Sequence, residues 1–111
     1  MISMSKLAIG TDRPTMIYKD GTMIWLVNNK YHRENGPAIV RVNGSKEYWI
    51  NGNMHRTDGP AFFGQFYRTK WYVNNIDITE GVQEWLSNTK YKWPFNDYQQ
   101  MEFKMRFCCG D

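Results

Sequence analysis

The residues best suited to chemistry stand in two near-copies, His32-Arg33-Glu34-Asn35-Gly36-Pro37-Ala38 and His55-Arg56-Thr57-Asp58-Gly59-Pro60-Ala61, 23 residues apart. A histidine beside an arginine and an acidic or amide side chain suits a metal ligand, a general base or an anion contact. A shared metal fits the spacing poorly. Equivalent positions in consecutive hairpin repeats lie about two strand spacings apart, on the order of 10 Å, whereas each ligand of one ion must approach it to about 2 Å. No third ligand type recurs at this interval either. General-base chemistry lacks its nucleophile, because Ser45 and Ser87 match neither histidine in the repeat and no Gly-x-Ser-x-Gly elbow occurs. Glycine-rich phosphate loops are likewise missing from the sequence. We therefore expect no catalytic residue, no metal site, no cofactor and no enzyme. His32, Arg33, Gly36, Pro37, His55, Arg56, Asp58, Gly59 and Pro60 read as structural, with ligand contact as the second use. In that reading the histidines and arginines fold back onto the Asp/Asn side chains and the carbonyls of the Gly-Pro turns.

A second set repeats at the same period. Trp25, Tyr48 and Trp71 form one column, and Leu26, Trp49 and Tyr72 stand beside it. Neighbours on a strand face opposite ways, so one column should line the core and the other should be exposed. With Lys30, Arg41, Lys46, Arg68 and Lys70 nearby, an exposed ladder could stack bases or nucleotides, or form a protein contact surface. Cross-strand packing beneath terminal helices is the structural alternative. The candidate binding surface is thus Trp25, Tyr48, Trp49, Trp71, Tyr72, Arg41, Lys46, Arg68 and Lys70.

The elements that must position these residues follow from turn chemistry. A chain of 111 residues supports one domain, residues 1–111, and its 16% aromatic content points to a core filled by large rings. Residues 12–78 read as β-hairpin repeats and 79–111 as a helical cap, a mainly β antiparallel meander that is α+β overall. Asp20-Gly21, Asn28-Asn29, Asn43-Gly44 and Asn51-Gly52 mark turns between apolar-aromatic runs, with strands expected over Met16–Lys19, Thr22–Val27, Ala38–Val42 and Ser45–Ile50. Pro14 marks a degenerate first copy. In the third copy Phe66-Tyr67 replaces Asn43-Gly44, so that turn is expected to move to Gly64-Gln65. Asp77-Ile78-Thr79-Glu80 has the form of a capping box for a helix over about Thr79 to Ser87. Tyr91 to Phe95 is an aromatic connector around Pro94. Residues 97–107 are ambiguous: Met101 to Phe107 alternate as a strand would, yet Asn96 with Gln99 has the form of a helix cap, and helix is favoured.

Net charge is +3, with eight Lys/Arg against four Asp/Glu in residues 1–56 and six against seven in residues 57–111. Any nucleic-acid binding should then be weak. The two cysteines are the neighbours Cys108 and Cys109, which staple no loop, and read as reduced thiols. Met1 to Gly10 lacks a signal-peptide core and no run approaches a membrane span. Together these point to the cytoplasm, without membrane contact.

The unit Trp/Tyr-x-x-Asn-Gly-x-x-His-Arg-x-Asp-Gly-Pro-Ala resembles the tandem repeat of small proteins of tailed phages and giant viruses, which in turn is similar to MORN-type hairpin repeats. The likeness covers about Pro14 to Asp77. It is full in His55 to Ala61, while Asn35 departs from it in His32 to Ala38. The resemblance implies hairpin repeats, a viral setting in the host cytoplasm, and a binding or assembly surface rather than a reaction. The expectation is a non-enzymatic viral accessory protein that binds a host protein and counteracts host functions or defence. A homodimer is expected through an uncapped N-terminal edge or through the exposed aromatic column. Sequestration of a small-molecule or nucleotide signal, and weak single-stranded nucleic-acid binding, are the alternatives.

Overall fold

The hairpin turns set the architecture. Asn28 and Asn29 have φ of 52° and 64°, Asn51 and Gly52 have 51° and 81°, and Asn74 and Asn75 have 50° and 68°. Two consecutive left-handed residues make the tight turn whose twist matches that of the strands, and asparagine tolerates this conformation better than most side chains. A computed structural model describes residues 12–65 and 68–108. Met1 to Gly10, Phe66-Tyr67 and Cys109 lie outside the described residues.

The described strands are two residues long. In chain order they are β1 (Met16–Ile17), β2 (Met23–Ile24), β3 (Leu26–Val27), β4 (Lys30–Tyr31), β5 (Ile39–Val40) and β6 (Lys46–Glu47). There follow β7 (Trp49–Ile50), β8 (Asn53–Met54), β9 (Phe62–Phe63), β10 (Thr69–Lys70), β11 (Tyr72–Val73) and β12 (Ile76–Asp77). An antiparallel sheet runs in the order β1-β2-β5-β6-β9-β10; hairpins β3-β4 and β7-β8 leave it between its strands, and a third, β11-β12, follows β10. The protein is mainly β, with helices at its C-terminal end.

This corrects the expectation of continuous strands over Thr22–Val27 and Ser45–Ile50. Each is split at an aromatic residue, Trp25 or Tyr48. In a hydrogen-bonded pair of an antiparallel ladder, a residue exchanges its N–H and C=O with one opposite residue. Here they serve two partners. The N–H groups of Trp25 and Tyr48 donate forward to the Ala38 and Ala61 carbonyls at 2.8 Å, while their carbonyls accept from His32 at 3.1 Å and His55 at 3.0 Å in their own hairpins. The chain therefore turns out of the sheet at each aromatic. Ala38 and Ala61 are fully buried at these corners, where a larger side chain would find no room.

At Trp71 the pattern ends. Its carbonyl accepts from Ile78 at 2.8 Å, but its N–H donates to Thr79 Oγ1 at 2.9 Å instead of to a further carbonyl. Thr79 opens helix α1 (Thr79–Thr89), two residues longer than expected. The expected capping box does not form. Asp77 Oδ1 accepts the Thr79 N–H at 2.9 Å, while the Thr79 hydroxyl is occupied with Trp71. Lys90 closes α1 in the left-handed conformation, and its N–H donates to Leu86. A connector with a cis Trp93-Pro94 bond leads to α2 (Asp97–Phe103), where Asn96 and Gln99 form a reciprocal capping box, and Lys104–Cys108 continues it as a π-helical segment. Residues 97–107 are thus helical rather than extended.

The helices pack against the last copy of the array. Trp71, Val82, Trp85 and Phe103 form the buried cluster there, with Phe95, Phe107 and Cys108 packed against it. Phe103 is fully buried and its ring lies 5.1 to 6.0 Å from those of Trp71, Trp85, Phe95 and Phe107. Among the described residues no helix is long and apolar enough to cross a membrane.

Candidate functional site

The two histidines do not fold back onto their own turns. His32 Nδ1 accepts the backbone N–H of Asn51 at 2.9 Å, and His55 Nδ1 accepts that of Asn74 at 2.8 Å. Each ring thus ties its own hairpin to the turn of the next. A nitrogen that accepts carries no proton, so the neutral ring keeps its proton on Nε2. In His32 that nitrogen lies 3.4 Å from the Glu34 carboxylate.

The arginines do fold back. Arg33 Nη1 donates to the Pro37 carbonyl and Arg56 Nη1 to the Pro60 carbonyl, both at 3.1 Å. Each guanidinium also lies on the aromatic corner of its own copy, 3.8 Å from the Trp25 ring centre and 3.9 Å from that of Tyr48. Such stacking adds a cation–π attraction to the hydrogen bonds. One period later stands Thr79, not arginine, and the Trp71 ring is stacked by Phe95 at 6.1 Å.

Charge is arranged differently in the two copies. Arg33 reaches Asp12 with Nε at 3.0 Å and Nη2 at 2.9 Å, a two-pronged pair, whereas Arg56 Nε donates to Asp58 at 2.7 Å. The hydrogen bonds from Arg33 hold the Asp12 carboxyl below the usual carboxylate range. The second loop is clamped by the helical end of the chain. Trp93 Nε1 donates to the Asp58 carbonyl at 2.9 Å, and Gln100 Nε2 to that of Thr57 at 2.6 Å. The glycines allow this close packing: a Cβ on Gly59 would lie 2.8 Å from both Arg56 Cζ and Trp93 Nε1.

Two clefts result on this side. One, of about 550 Å³, is lined by Asp12, Trp25, His32, Arg33 and Asn35 among others. The next, of about 520 Å³, is lined by Arg33, Glu34, Asn35, Tyr48, His55, Arg56 and Asp58, with Lys104 from the π-helical segment.

The aromatic columns are distributed otherwise than expected. Trp25 and Trp71 are buried and Tyr48 is half-buried, but Leu26, Trp49 and Tyr72 are half-buried too, so neither column is an exposed ladder. Returning strands cover the second column. Tyr31 lies on Trp49 with ring centres 5.3 Å apart, and Met54 stands opposite Trp49 in register. Arg41, Lys46, Arg68 and Lys70 are exposed. Arg41 pairs with Glu47 at 2.9 Å, and Glu47 also accepts from Trp49 Nε1 at 3.0 Å. Arg68 and Lys70 line a hollow of about 620 Å³ with Met54, Phe62 and Tyr72. A second hollow, of about 480 Å³, lies among Met16, Tyr18, Leu26, Lys30 and Tyr31.

Several of these participants have no signal in a pattern of types and spacings. Trp93, Gln100 and Lys104 reach the loops from outside the repeat, Asp12 comes from its degenerate first copy, and Tyr31 and Met54 occupy one repeat position with different side chains. Among the described residues no group of three or more His, Cys, Asp or Glu could hold a metal ion. In comparison with known proteins, the chain matches no family model, no curated protein and no solved structure.

Proposed function

We propose that the protein is a non-catalytic binding module that recognises another protein, a viral accessory factor acting on a host protein. The observation that supports this reading is a methionine- and aromatic-rich surface where the hairpins leave the sheet. Tyr31, Trp49 and Met54 run through it, between one hollow lined by Met16, Tyr18 and Leu26 and another lined by Met54, Phe62 and Tyr72. Large rings and adaptable thioethers at open hollows are the side chains that anchor protein partners. The repeated histidines and arginines, by contrast, are engaged with the backbone of the array. The viral setting and the tandem MORN-like hairpin repeat rest on the sequence resemblance at His32–Ala38 and His55–Ala61.

Capture from host lysate tests this. Wild-type protein is expected to retain a defined host protein, and Tyr31→Ser and Met54→Ser to weaken its binding about ten-fold or more, the loss typical of a central contact residue. No captured protein, or capture unaffected by both substitutions, contradicts the reading.

A further inference from the structure

The two arginine clefts are built from equivalent residues one period apart and differ in what neutralises the arginine. In the first, Asp12 takes Arg33 Nε and Nη2 on its two oxygens while Pro37 takes Nη1, so every guanidinium nitrogen is bonded. In the second, the residue at the Asp12 position is Asn35, which brings no carboxylate. Arg56 uses Nε on Asp58 and Nη1 on Pro60, and its Nη2 has no partner among the described residues. Two further donors line the same cleft unpaired among the described residues: the Lys104 ammonium, and the Nε2–H of His55, whose Nδ1 is taken by Asn74. The Arg56 side chain is 15% exposed, so its free nitrogen is reached through the cleft.

We propose that this cleft takes an aspartate or glutamate side chain of the partner protein, whose carboxylate accepts from Arg56 Nη2 as Asp12 accepts from Arg33 Nη2. The inference rests on the protein-binding reading above. The molecule supplies its own template in Asp12 Oδ2, 2.9 Å from Arg33 Nη2, and a hydrogen bond from a guanidinium to a carboxylate is among the stronger kinds. Glu34 and Asp58 also line the cleft beside Arg56 and Lys104, while Arg33 is already paired with Asp12. Two carboxylates in the lining disfavour the multiple charge of a nucleotide phosphate more than the single charge of one side-chain carboxylate.

The probe is a fluorescent peptide with a central Gly-Asp-Gly-Glu-Gly stretch, its Asn/Gln counterpart serving as the uncharged control. Binding is followed by fluorescence, and by side-chain NMR signals of Arg56 and His55. The acidic peptide is expected to shift both signals and the control to shift neither. Asn35→Asp, which restores an internal carboxylate, should weaken the acidic peptide about ten-fold, while Asn35→Ala should bind it as wild type does. Equal binding by Asn35→Asp, no shift at Arg56, or inorganic phosphate shifting Arg56 at lower concentration than the peptide would each overturn the proposal. Lysate capture separates the two claims. If Asn35→Asp captures the same host protein as strongly as wild type, the cleft assignment fails and the protein-binding reading stands. If wild type captures nothing while the peptide behaves as expected, the protein-binding reading fails and the carboxylate preference of the cleft stands.

Discussion

His32 accepts the backbone N–H of Asn51 on Nδ1 at 2.9 Å, and His55 repeats the contact with Asn74 at 2.8 Å. The histidine of each copy is therefore a fastener between consecutive hairpins. Asn51 and Asn74 sit at positive φ, so each bond fixes a turn residue in a conformation that few L-amino acids adopt.

Replacing either ring by alanine leaves that N–H to solvent. Both sites are exposed, so we expect His32→Ala and His55→Ala each to lower stability by about 1 kcal/mol, the net worth of one hydrogen bond. Thermal melting checks this, and unchanged midpoints in both variants would contradict the role.

Asp12 and Arg33 predict an acid dependence. The Asp12 carboxyl is held below its ordinary value by hydrogen bonds from Arg33. A lowered folded value means that the contribution is fully present above about pH 4 and is lost as pH falls through the lowered value. Asp12→Asn should therefore be less stable than wild type at neutral pH and lose less on acidification. Urea midpoints measured across the acid range would show the two curves converging, and parallel curves would refute the assignment.

Gly36 and Gly59 are equivalent in sequence but not in surroundings. A Cβ on Gly36 would lie 3.0 Å from Arg33 Cζ, a contact that an adjustment of a few tenths of an ångström relieves. On Gly59 it would lie 2.8 Å from Arg56 Cζ and 2.8 to 2.9 Å from the Trp93 indole, which is held to the Asp58 carbonyl. We expect Gly59→Ala to cost about 1–3 kcal/mol, as overpacking does, and Gly36→Ala clearly less. Melting of the pair, with Trp93 fluorescence as a local probe, decides the order.

The parts of this architecture that depend on local rules were readable in advance. The left-handed pairs at Asn28-Asn29 and Asn51-Gly52, the Asn96–Gln99 cap and the Asn43-Gly44 turn each need only a few neighbouring residues. Long-range bonding decided the rest. Trp25 and Tyr48 suit a strand interior by type, and only the separate partners of their N–H and C=O groups make them corners. Thr79 has the form of a helix-cap residue, but its hydroxyl went to Trp71, 8 positions back. The histidines reach 19 residues forward, a distance at which no spacing rule applies.

Edge strand β1 carries Met16 and Ile17, 44% and 64% exposed. An apolar edge left unpaired among the described residues favours pairing with a second copy. We expect a concentration-dependent dimer in light scattering, and a monomer for Ile17→Lys. A wild-type protein that stays monomeric at high concentration would contradict this.

The central claim is that the repeated histidines hold the array together, and it can be read directly from the hydrogen bond itself. With 15N labelling and the rings uncharged, through-bond coupling should connect the Asn51 amide nitrogen with His32 Nδ1 and the Asn74 amide nitrogen with His55 Nδ1, both rings carrying their proton on Nε2. Absence of both couplings, or rings protonated on Nδ1, would contradict the account.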